Sequence, residues 1–349
     1  MRRLIEAIAV LDTSDYFTIL DSRKASSQTA LAANFAHVKM LTPCHHRVER
    51  LTLGLEIARL RLDLLHSPDF IPPLFGARRT VITIHDLNFL HYPQFQTPDS
   101  RRYYNGNIQA AVRKADHILA DSQATKADLC HLLRVPAERI TVHPLGVDPM
   151  FQLLSADVIA DARARLGLPA EYLLFVGTFE PRKNLPGLLN AYAQLRTRLP
   201  DAPPLVIAGR RGWLYESIFA LVESLGLSAY VLWRENIAAS DLPALYNGAL
   251  LLALPSFYEG FGLTALEAMA CGVPVVAADR ASLPEVVGSA GILIDPDRVE
   301  SLADGLYSAL TDSALRECCR REGLARAATF TWQRTAEVAL SVYQRVLAN

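Results

Sequence analysis

Two glutamates flank a glycine loop and a helix start in the second half of the chain. Glu259 and Glu267 enclose Gly-Phe-Gly-Leu-Thr-Ala-Leu, which follows a predicted buried strand, Leu250–Pro255. Glycines between a strand and a helix let backbone N–H groups and the positive helix end approach an anion. An ionised carboxylate can accept hydrogen bonds from sugar and ribose hydroxyls. The pattern therefore predicts a site for a nucleotide sugar.

Two cations follow an earlier predicted strand. The segment Phe175–Asn184 begins as a buried strand, is predicted to bend at Gly177, and carries Arg182 and Lys183 before a helix that Asn184 caps. Arginine binds phosphate as a planar fork and lysine as a point charge, so the pair can hold a diphosphate without a metal. The pair alone would also fit a solvated loop. The glycine turn and the glycine loop downstream favour a site.

The glycine loop has a rival interpretation. Gly260-x-Gly262-x-x-Ala265 fits a relaxed dinucleotide fingerprint, and Asp279 ends the next predicted strand. This pattern would indicate a dinucleotide-dependent oxidoreductase. However, Glu259 would repel a pyrophosphate at this loop, and the unit is not the first strand–helix–strand unit of its domain. The sequence therefore favours the nucleotide-sugar interpretation.

The first half of the chain offers one candidate histidine. His85 follows the predicted strand Val81–Ile84, and a histidine at the carboxyl end of a strand can contact a sugar hydroxyl or a developing charge. A local structural role fits a lone histidine equally well. Asp295-Pro-Asp297 has the Asp-x-Asp spacing of metal-dependent sugar transferases, but its proline favours a turn. No metal site is predicted.

Strand and helix patterns alternate along the whole chain, which predicts parallel sheets covered on both faces. The predicted strands are Tyr16–Leu20, Leu64–His66, Val81–Ile84, His117–Ala120, Ile140–His143, Tyr172–Gly177, Leu205–Ala208, Val231–Trp233, Leu250–Pro255, Val273–Ala277 and Ile292–Ile294. The turn-rich segment Leu145–Pro149 divides them. We therefore expect an α/β protein with two doubly wound Rossmann-like domains, 1–147 and 148–330, and a ligand cleft between them.

The first domain is predicted to begin with a helix. Arg2–Leu11 places apolar residues at helical spacing, and no strand with a glycine loop precedes it. A doubly wound domain usually opens with a strand. We therefore expect that the N-terminal domain lacks its first strand, or that the chain start omits that piece.

Composition excludes several classes of protein. The 349 residues are 51% hydrophobic and 20% charged, and the net charge of −1 divides into +4 through Val147 and −5 beyond it. No apolar run approaches the ~20 residues that span a bilayer. Five unclustered cysteines (Cys44, Cys130, Cys271, Cys318 and Cys319) indicate reduced thiols and a cytoplasmic location. Nucleic-acid-binding motifs are absent.

From about Leu64 to the C-terminus, the chain resembles glycosyltransferase family 4, the group 1-type retaining glycosyltransferases of the GT-B fold. Glu259–Glu267 matches the Glu-x7-Glu motif of that family. Gly177 with Arg182-Lys183-Asn184 and the segment Thr83–Leu87 are also similar. By the same resemblance, the last helix, within 331–349, packs back on the first domain.

The resemblance implies metal-independent transfer of a hexose, such as mannose or glucose, from a nucleoside-diphosphate sugar with retention. The implied catalytic residues are His85, on the acceptor side, and Glu259. The implied donor-binding residues are Gly177, Arg182, Lys183, Gly260, Phe261, Gly262, Leu263 and Glu267. In this scheme the two cations hold the diphosphate and Glu267 binds the ribose. No cofactor is implied beyond the sugar nucleotide, which is a co-substrate.

The implied acceptor is a glycan or a lipid-linked glycan, and the latter would bring the protein to the inner face of the membrane. Two features depart from the family pattern. The first strand and its glycine loop are missing, and Trp233–Ile237 replaces a glycine-containing turn where the nucleotide base would sit. The first departure leaves an alternative, a catalytically inactive relative that binds a nucleotide sugar.

Overall fold

The computed structural model describes residues 1–23, 31–43, 48–213 and 215–348, without the side chains of 98–100. The chain forms two compact units, which we call unit 1 (Met1–Gly146 with Thr331–Asn349) and unit 2 (Val147–Phe330). Cys44 lies outside the described residues. The cysteines at 130, 271, 318 and 319 are free thiols. No helix in the described ranges is long and apolar enough to cross a membrane.

Helices and strands alternate through both units. Unit 1 contains α1 Arg2–Leu11, β1 Phe17–Ser22, β2 Phe35–Met40, α2 Glu49–Ala58, β3 Leu62–Ser67, β4 Ala77–Ile84, α3 Asn88–His91, α4 Pro98–Lys114, β5 His117–Ala120, α5 Gln123–Leu133 and β6 Ile140–Val142. Unit 2 contains α6 Ala156–Leu166, β7 Leu173–Phe179, α7 Leu185–Arg198, β8 Leu205–Arg211, α8 Glu216–Ser224, β9 Val231–Glu235, α9 Leu242–Asn247, β10 Leu251–Leu254, α10 Leu263–Ala270, β11 Val275–Ala278, α11 Leu283–Val287, β12 Ile292–Ile294, α12 Val299–Thr311 and α13 Ser313–Ala327. The last helix, α14 Trp332–Ala348, belongs to unit 1.

The main sheet of unit 1 is parallel and has the order β3-β4-β5-β6. Successive residues of a strand point to opposite faces of the sheet, so each face can pack against its own set of helices. Val81 on β4 packs with α1 and α14, whereas Ile82 packs in a second core with α4. Helices on both faces confirm the predicted parallel α/β class.

One strand, β2, was not predicted from the sequence. It pairs in parallel with β1, from Phe17 opposite Phe35 to Ser22 opposite Met40, and the two strands form a sheet of their own in the described part of the chain. Its sequence, Phe-Ala-His-Val-Lys-Met, has polar residues at two positions and lacks a continuous apolar run. The pattern typical of a doubly covered strand was therefore absent.

Unit 2 contains a six-stranded parallel sheet of order β9-β8-β7-β10-β11-β12. The first three strands of the unit run outward from β7, and the next three run outward from β10 in the opposite direction. This is the doubly wound order, and its switch point lies between β7 and β10. Ligands bind outside the carboxyl ends of the strands at such a point, because the connections there diverge to opposite faces.

The prediction of a bend at Gly177 is wrong. β7 continues through Gly177 to Phe179, and Gly177 lies opposite Gly209 in the ladder with β8. The chain turns only after Glu180, where Pro181–Lys183 form a short 3-10 turn. An unbroken ladder with β8 keeps this segment extended.

Candidate active site

The connection after β7 is fixed by Asn184. This residue has a positive φ of 55°, and its side-chain oxygen accepts a hydrogen bond from the Gly187 N–H, so the predicted helix cap is confirmed. Its side-chain nitrogen donates to the carbonyl oxygens of Pro255, at 3.2 Å, and Pro296, at 2.9 Å. Asn184 thus ties the β7 connection to the chain that follows β10.

The predicted cations after β7 contact Glu259, the predicted carboxylate after β10. Lys183 Nζ donates to one carboxylate oxygen at 2.6 Å, and Arg182 donates to the other at 2.9 Å. The Ser256 hydroxyl donates to the first oxygen at 2.7 Å. Arg182 also pairs with Glu180 at 2.7 Å. The switch point therefore holds two cations and two carboxylates in one buried cluster.

Glu259 is charged in this cluster. It is 8% exposed, and burial alone would raise its pKa. The charges of Lys183 and Arg182, with the hydrogen bonds from Lys183 and Ser256, outweigh burial and lower the pKa to about 2. The repulsion that Glu259 would exert on a phosphate is thus offset by two cations within hydrogen-bonding distance.

The glycine loop ends at the first turn of α10. Gly262 precedes the helix with φ of 105°, and a Cβ there would lie 2.9 Å from Leu283 Cδ2, so only glycine fits. Among the described residues, the N–H groups of Gly262, Leu263 and Thr264 have no hydrogen-bond partner. Three free N–H groups at a helix start can bind an anion.

Two further contacts hold the glycine loop. The fully buried Ser282 hydroxyl lies 2.8 Å from the carbonyl oxygens of both Glu259 and Phe261. The Phe261 ring packs edge-on against Phe330, with centroids 5.8 Å apart. Both contacts come from segments far from the loop in sequence. The loop is therefore positioned before any ligand arrives.

Glu267 differs from Glu259 in its surroundings. It accepts a hydrogen bond of 2.8 Å from the hydroxyl of Tyr246, which is fully buried on α9. Burial and the negative charge of Asp148 raise the pKa of Glu267 to about 7, although the bond from Tyr246 acts in the opposite direction. An ionised Glu267, as expected from the sequence, could only accept hydrogen bonds. Near neutral pH it is partly protonated, and the protonated form can also donate.

In unit 1, His85 is held by a carboxylate that the sequence analysis missed. His85 follows β4, and its Nδ1 lies 2.7 Å from Asp121, which directly follows β5. Its Nε2 lies 3.0 Å from the Pro68 carbonyl oxygen. Both partners are acceptors, so both ring nitrogens carry protons. Burial opposes this charge, but Asp121 and Pro68 outweigh it and raise the pKa of His85.

Of the residues that were missed, Asp121 has a position that follows from the order of the strands. Asp121 lies at the carboxyl end of β5, beside the end of β4, so parallel pairing brings it next to His85. The same rule could have identified it from sequence. Tyr246 and Ser282 had no such signal, because they contact the site through helix packing and loop conformation.

The aspartates at 295 and 297 form the predicted turn. The Asp297 N–H donates to Asp295 Oδ1 at 3.0 Å, and Asp297 pairs with Arg280 at 2.7 Å. Across the described ranges, no three His, Cys, Asp or Glu side chains come together as metal ligands.

Comparison with known proteins identifies the family. Residues 160–326 match the model described as Glycosyl transferases group 1, and residues 29–151 match Glycosyltransferase Family 4. O-antigen chain mannosyltransferase B of Escherichia coli is 34% identical over 282 residues, which cover 80% of this chain and 74% of the relative. The chain belongs to glycosyltransferase family 4. This membership favours the transferase interpretation over the oxidoreductase.

Two other relatives are similar over comparable lengths of this chain. The serotype-specific mannosyltransferase WbdA of Escherichia coli is 33% identical over 277 residues, but the match covers only 34% of that protein. D-inositol 3-phosphate glycosyltransferase of Arthrobacter sp. is 30% identical over 299 residues, with 81% of this chain and 70% of the relative covered.

Solved structures confirm the GT-B fold of this glycosyltransferase. Sucrose-phosphate synthase from Thermosynechococcus elongatus has a TM-score of 0.78 and 24% identity, with 99% of this chain and 92% of that chain covered. WaaG, a glycosyltransferase of lipopolysaccharide biosynthesis, has a TM-score of 0.76 and 20% identity, with 98% and 94% covered. Anabaena HepE in complex with UDP-glucose has a TM-score of 0.71 and 22% identity, with 88% and 86% covered.

Proposed function

We propose that this glycosyltransferase transfers a hexose from a nucleoside-diphosphate sugar to a glycan acceptor, with retention and without a divalent metal. The observation that carries the proposal is the meeting of Arg182, Lys183 and the glycine loop on Glu259 at the switch point of unit 2. Among the relatives are mannosyltransferases, and HepE was solved with UDP-glucose. These names support a hexose and a nucleotide donor.

In this proposal, the donor diphosphate exchanges partners with Glu259. Its oxygens take hydrogen bonds from Lys183 and Arg182, and the N–H groups of Gly262 and Leu263 supply further donors. The negative charge that develops on the leaving diphosphate is stabilised by fixed donors, which need little reorganisation during the reaction. The protein supplies the cations that a metal would otherwise provide.

The two glutamates then bind different parts of the donor. Glu259, released from part of its ion pairing, accepts from hydroxyls of the donor sugar, with the backbone of Gly260 and Phe261 beside it. Glu267 binds the ribose hydroxyls, and Gly177, on β7, leaves room for the donor because it lacks a side chain. We assign His85 to the acceptor step, where its charged ring can stabilise negative charge.

The alternative from sequence is a relative that binds the donor without turnover. A panel of nucleotide sugars with different bases and hexoses, tested by thermal shift, would identify the donor, because a ligand specific to the folded state raises its stability. With that donor, we expect the enzyme to release nucleoside diphosphate in the presence of EDTA. The anomeric carbon of the transferred sugar should have the same configuration, α or β, in the product as in the donor. A donor that binds without any release would favour the inactive relative. Loss of activity in EDTA with recovery in magnesium would contradict the metal-independent mechanism.

A further inference from the structure

The two carboxylate oxygens of Glu267 have different surroundings. Oε2 accepts the 2.8 Å hydrogen bond from the Tyr246 hydroxyl. Oε1 has no hydrogen-bond partner in the part of the chain that the structure describes, and it is open to solvent. One oxygen is therefore held by the protein, and the other can accept a hydrogen bond from a ligand.

The geometry of α10 directs the Glu267 side chain towards the start of that helix. Side chains on a helix lean towards its N-terminus, so Glu267, one turn after Leu263, leans over the first turn. That turn carries the free N–H groups of Gly262 and Leu263. In a nucleoside diphosphate the ribose is joined directly to the first phosphate. A diphosphate at the helix start would therefore place the ribose beside Glu267.

Tyr246 is itself held in place. It is fully buried, and its ring packs edge-on against Phe151 with centroids 5.7 Å apart. The carbonyl oxygen of the preceding residue, Leu245, accepts a hydrogen bond of 2.7 Å from the hydroxyl of Tyr172, which is also fully buried. A buried hydroxyl needs a hydrogen-bond partner, and Glu267 is the acceptor that the Tyr246 hydroxyl reaches. The orientation of Glu267 is therefore tied to the core of unit 2.

The charge of Glu267 depends on the same contact. Burial and the negative charge of Asp148 raise its pKa to about 7, whereas the hydrogen bond from Tyr246 lowers the pKa. Other ionisable groups on the segments around α10 include Cys271, Glu285 on α11 and Arg320 on α13. None of these three adds to either effect. Among the described residues, Tyr246 is thus the group that favours the ionised carboxylate.

We propose that Tyr246 is a positioning residue for donor binding, an inference that rests on the proposed function. Its hydroxyl fixes the orientation of Glu267 and leaves one carboxylate oxygen to accept from a ribose hydroxyl. The same hydrogen bond favours the ionised carboxylate, whose bonds to the ribose are charge-assisted. The preference of the site for an intact ribose over a deoxyribose therefore depends on Tyr246, although Tyr246 does not touch the donor.

Calorimetric titration with nucleoside diphosphates tests this role. The probes are UDP, GDP and ADP, each compared at pH 7 with its 2′-deoxy and 3′-deoxy forms. Tyr246→Phe keeps the ring and removes only the hydroxyl. Tyr192→Phe is the matched control, because it removes another fully buried hydroxyl of unit 2, which donates to the Pro203 carbonyl oxygen at 2.9 Å. An unfolding curve for each variant shows that it is folded.

We expect wild type and Tyr192→Phe to bind at least one deoxy form about tenfold more weakly than the ribonucleotide, since a charge-assisted bond is lost. In Tyr246→Phe this ratio should fall to about threefold or less, because Glu267 no longer has a fixed orientation and is ionised in a smaller fraction of the molecules. The same ratio in all three folded proteins would overturn the proposal.

The pH dependence separates a positioning role from a purely structural one. Without the Tyr246 hydroxyl the pKa of Glu267 should rise further, so the loss of ribonucleotide affinity in Tyr246→Phe should be at least about threefold larger at pH 6 than at pH 9. A loss of the same size at every pH would contradict the proposal. If wild type binds none of the nucleotides, the proposed function itself is wrong, and this inference loses its basis.

Discussion

At the residue scale, the two glutamates of the Glu-x7-Glu motif have opposite electrostatic environments. Glu259 is surrounded by Lys183, Arg182 and Ser256, and its pKa falls to about 2. Burial and the negative charge of Asp148 raise the pKa of Glu267 to about 7, against the hydrogen bond from Tyr246. The motif therefore combines one permanent anion with one carboxyl group that titrates near neutral pH.

The raised pKa of Glu267 predicts a pH dependence of stability. A carboxyl group whose pKa is higher in the folded than in the unfolded protein favours folding when protonated, and this contribution is lost as the pH rises through about 7. Glu267→Gln remains neutral, so it should gain stability relative to wild type between pH 5 and pH 8, by on the order of 2 kcal/mol. Urea unfolding at both pH values measures this difference. The exposed Glu300→Gln serves as the control, and a pH-independent difference for Glu267→Gln would contradict the prediction.

The pairing of His85 with Asp121 predicts a change that NMR titration can measure. Asp121→Asn removes the negative charge that stabilises the protonated ring, so the pKa of His85 should fall. Asp128→Asn is a matched control, because it breaks the 2.9 Å pair between Asp128 and His91 and should lower the pKa of His91 alone. An unchanged His85 pKa in Asp121→Asn would show that Asp121 does not hold the ring.

At the element scale, β7 and β8 approach closely where two glycines face each other. A Cβ on Gly209 would lie 1.8 Å from the Gly177 carbonyl oxygen, whereas a Cβ on Gly177 would have its nearest contacts at 3.5 and 3.6 Å. Gly209→Ala should therefore lower the free energy of unfolding by more than about 3 kcal/mol, since the backbone must separate. Gly177→Ala should leave it within about 1 kcal/mol. Denaturant midpoints that shift equally in both variants would disprove the predicted difference.

The strand–loop–helix connections were the most predictable elements. The glycine loop before α10 and the cap at Asn184 depend on local sequence, and the structure has them where the sequence placed them. The strand β2 was missed because it is partly exposed and lacks a continuous apolar run. Gly177 was taken for a bend because glycine often marks one, but it lies inside β7, and the close approach of the two strands depends on the absence of a side chain at Gly209.

At the scale of the whole molecule, the sheet order determines which distant residues meet. Sequence alone placed Lys183 and Glu259 at the ends of two strands, and the adjacency of β7 and β10 brings them within 2.6 Å. The support from Tyr246 and Ser282 could not be predicted, because it depends on how helices and loops pack. The charged residues of the candidate site, such as Lys183 and Glu259, could thus be predicted from the sequence. The groups that orient the site, such as Tyr246 and Ser282, could not.

Lys183 and its neighbours at the switch point are proposed to bind the diphosphate of a sugar nucleotide. Calorimetric titration with the donor identified from the panel should compare wild type, Lys183→Ala and Arg198→Ala. Arg198 is an exposed, ion-paired residue at the far end of α7, about 20 Å along that helix from its start. A separate unfolding curve should show that each variant is folded.

We predict that Lys183→Ala binds the donor at least about tenfold more weakly, because a charge-assisted bond to the diphosphate is lost, while Arg198→Ala matches wild type. The same Kd for all three folded proteins would contradict the account.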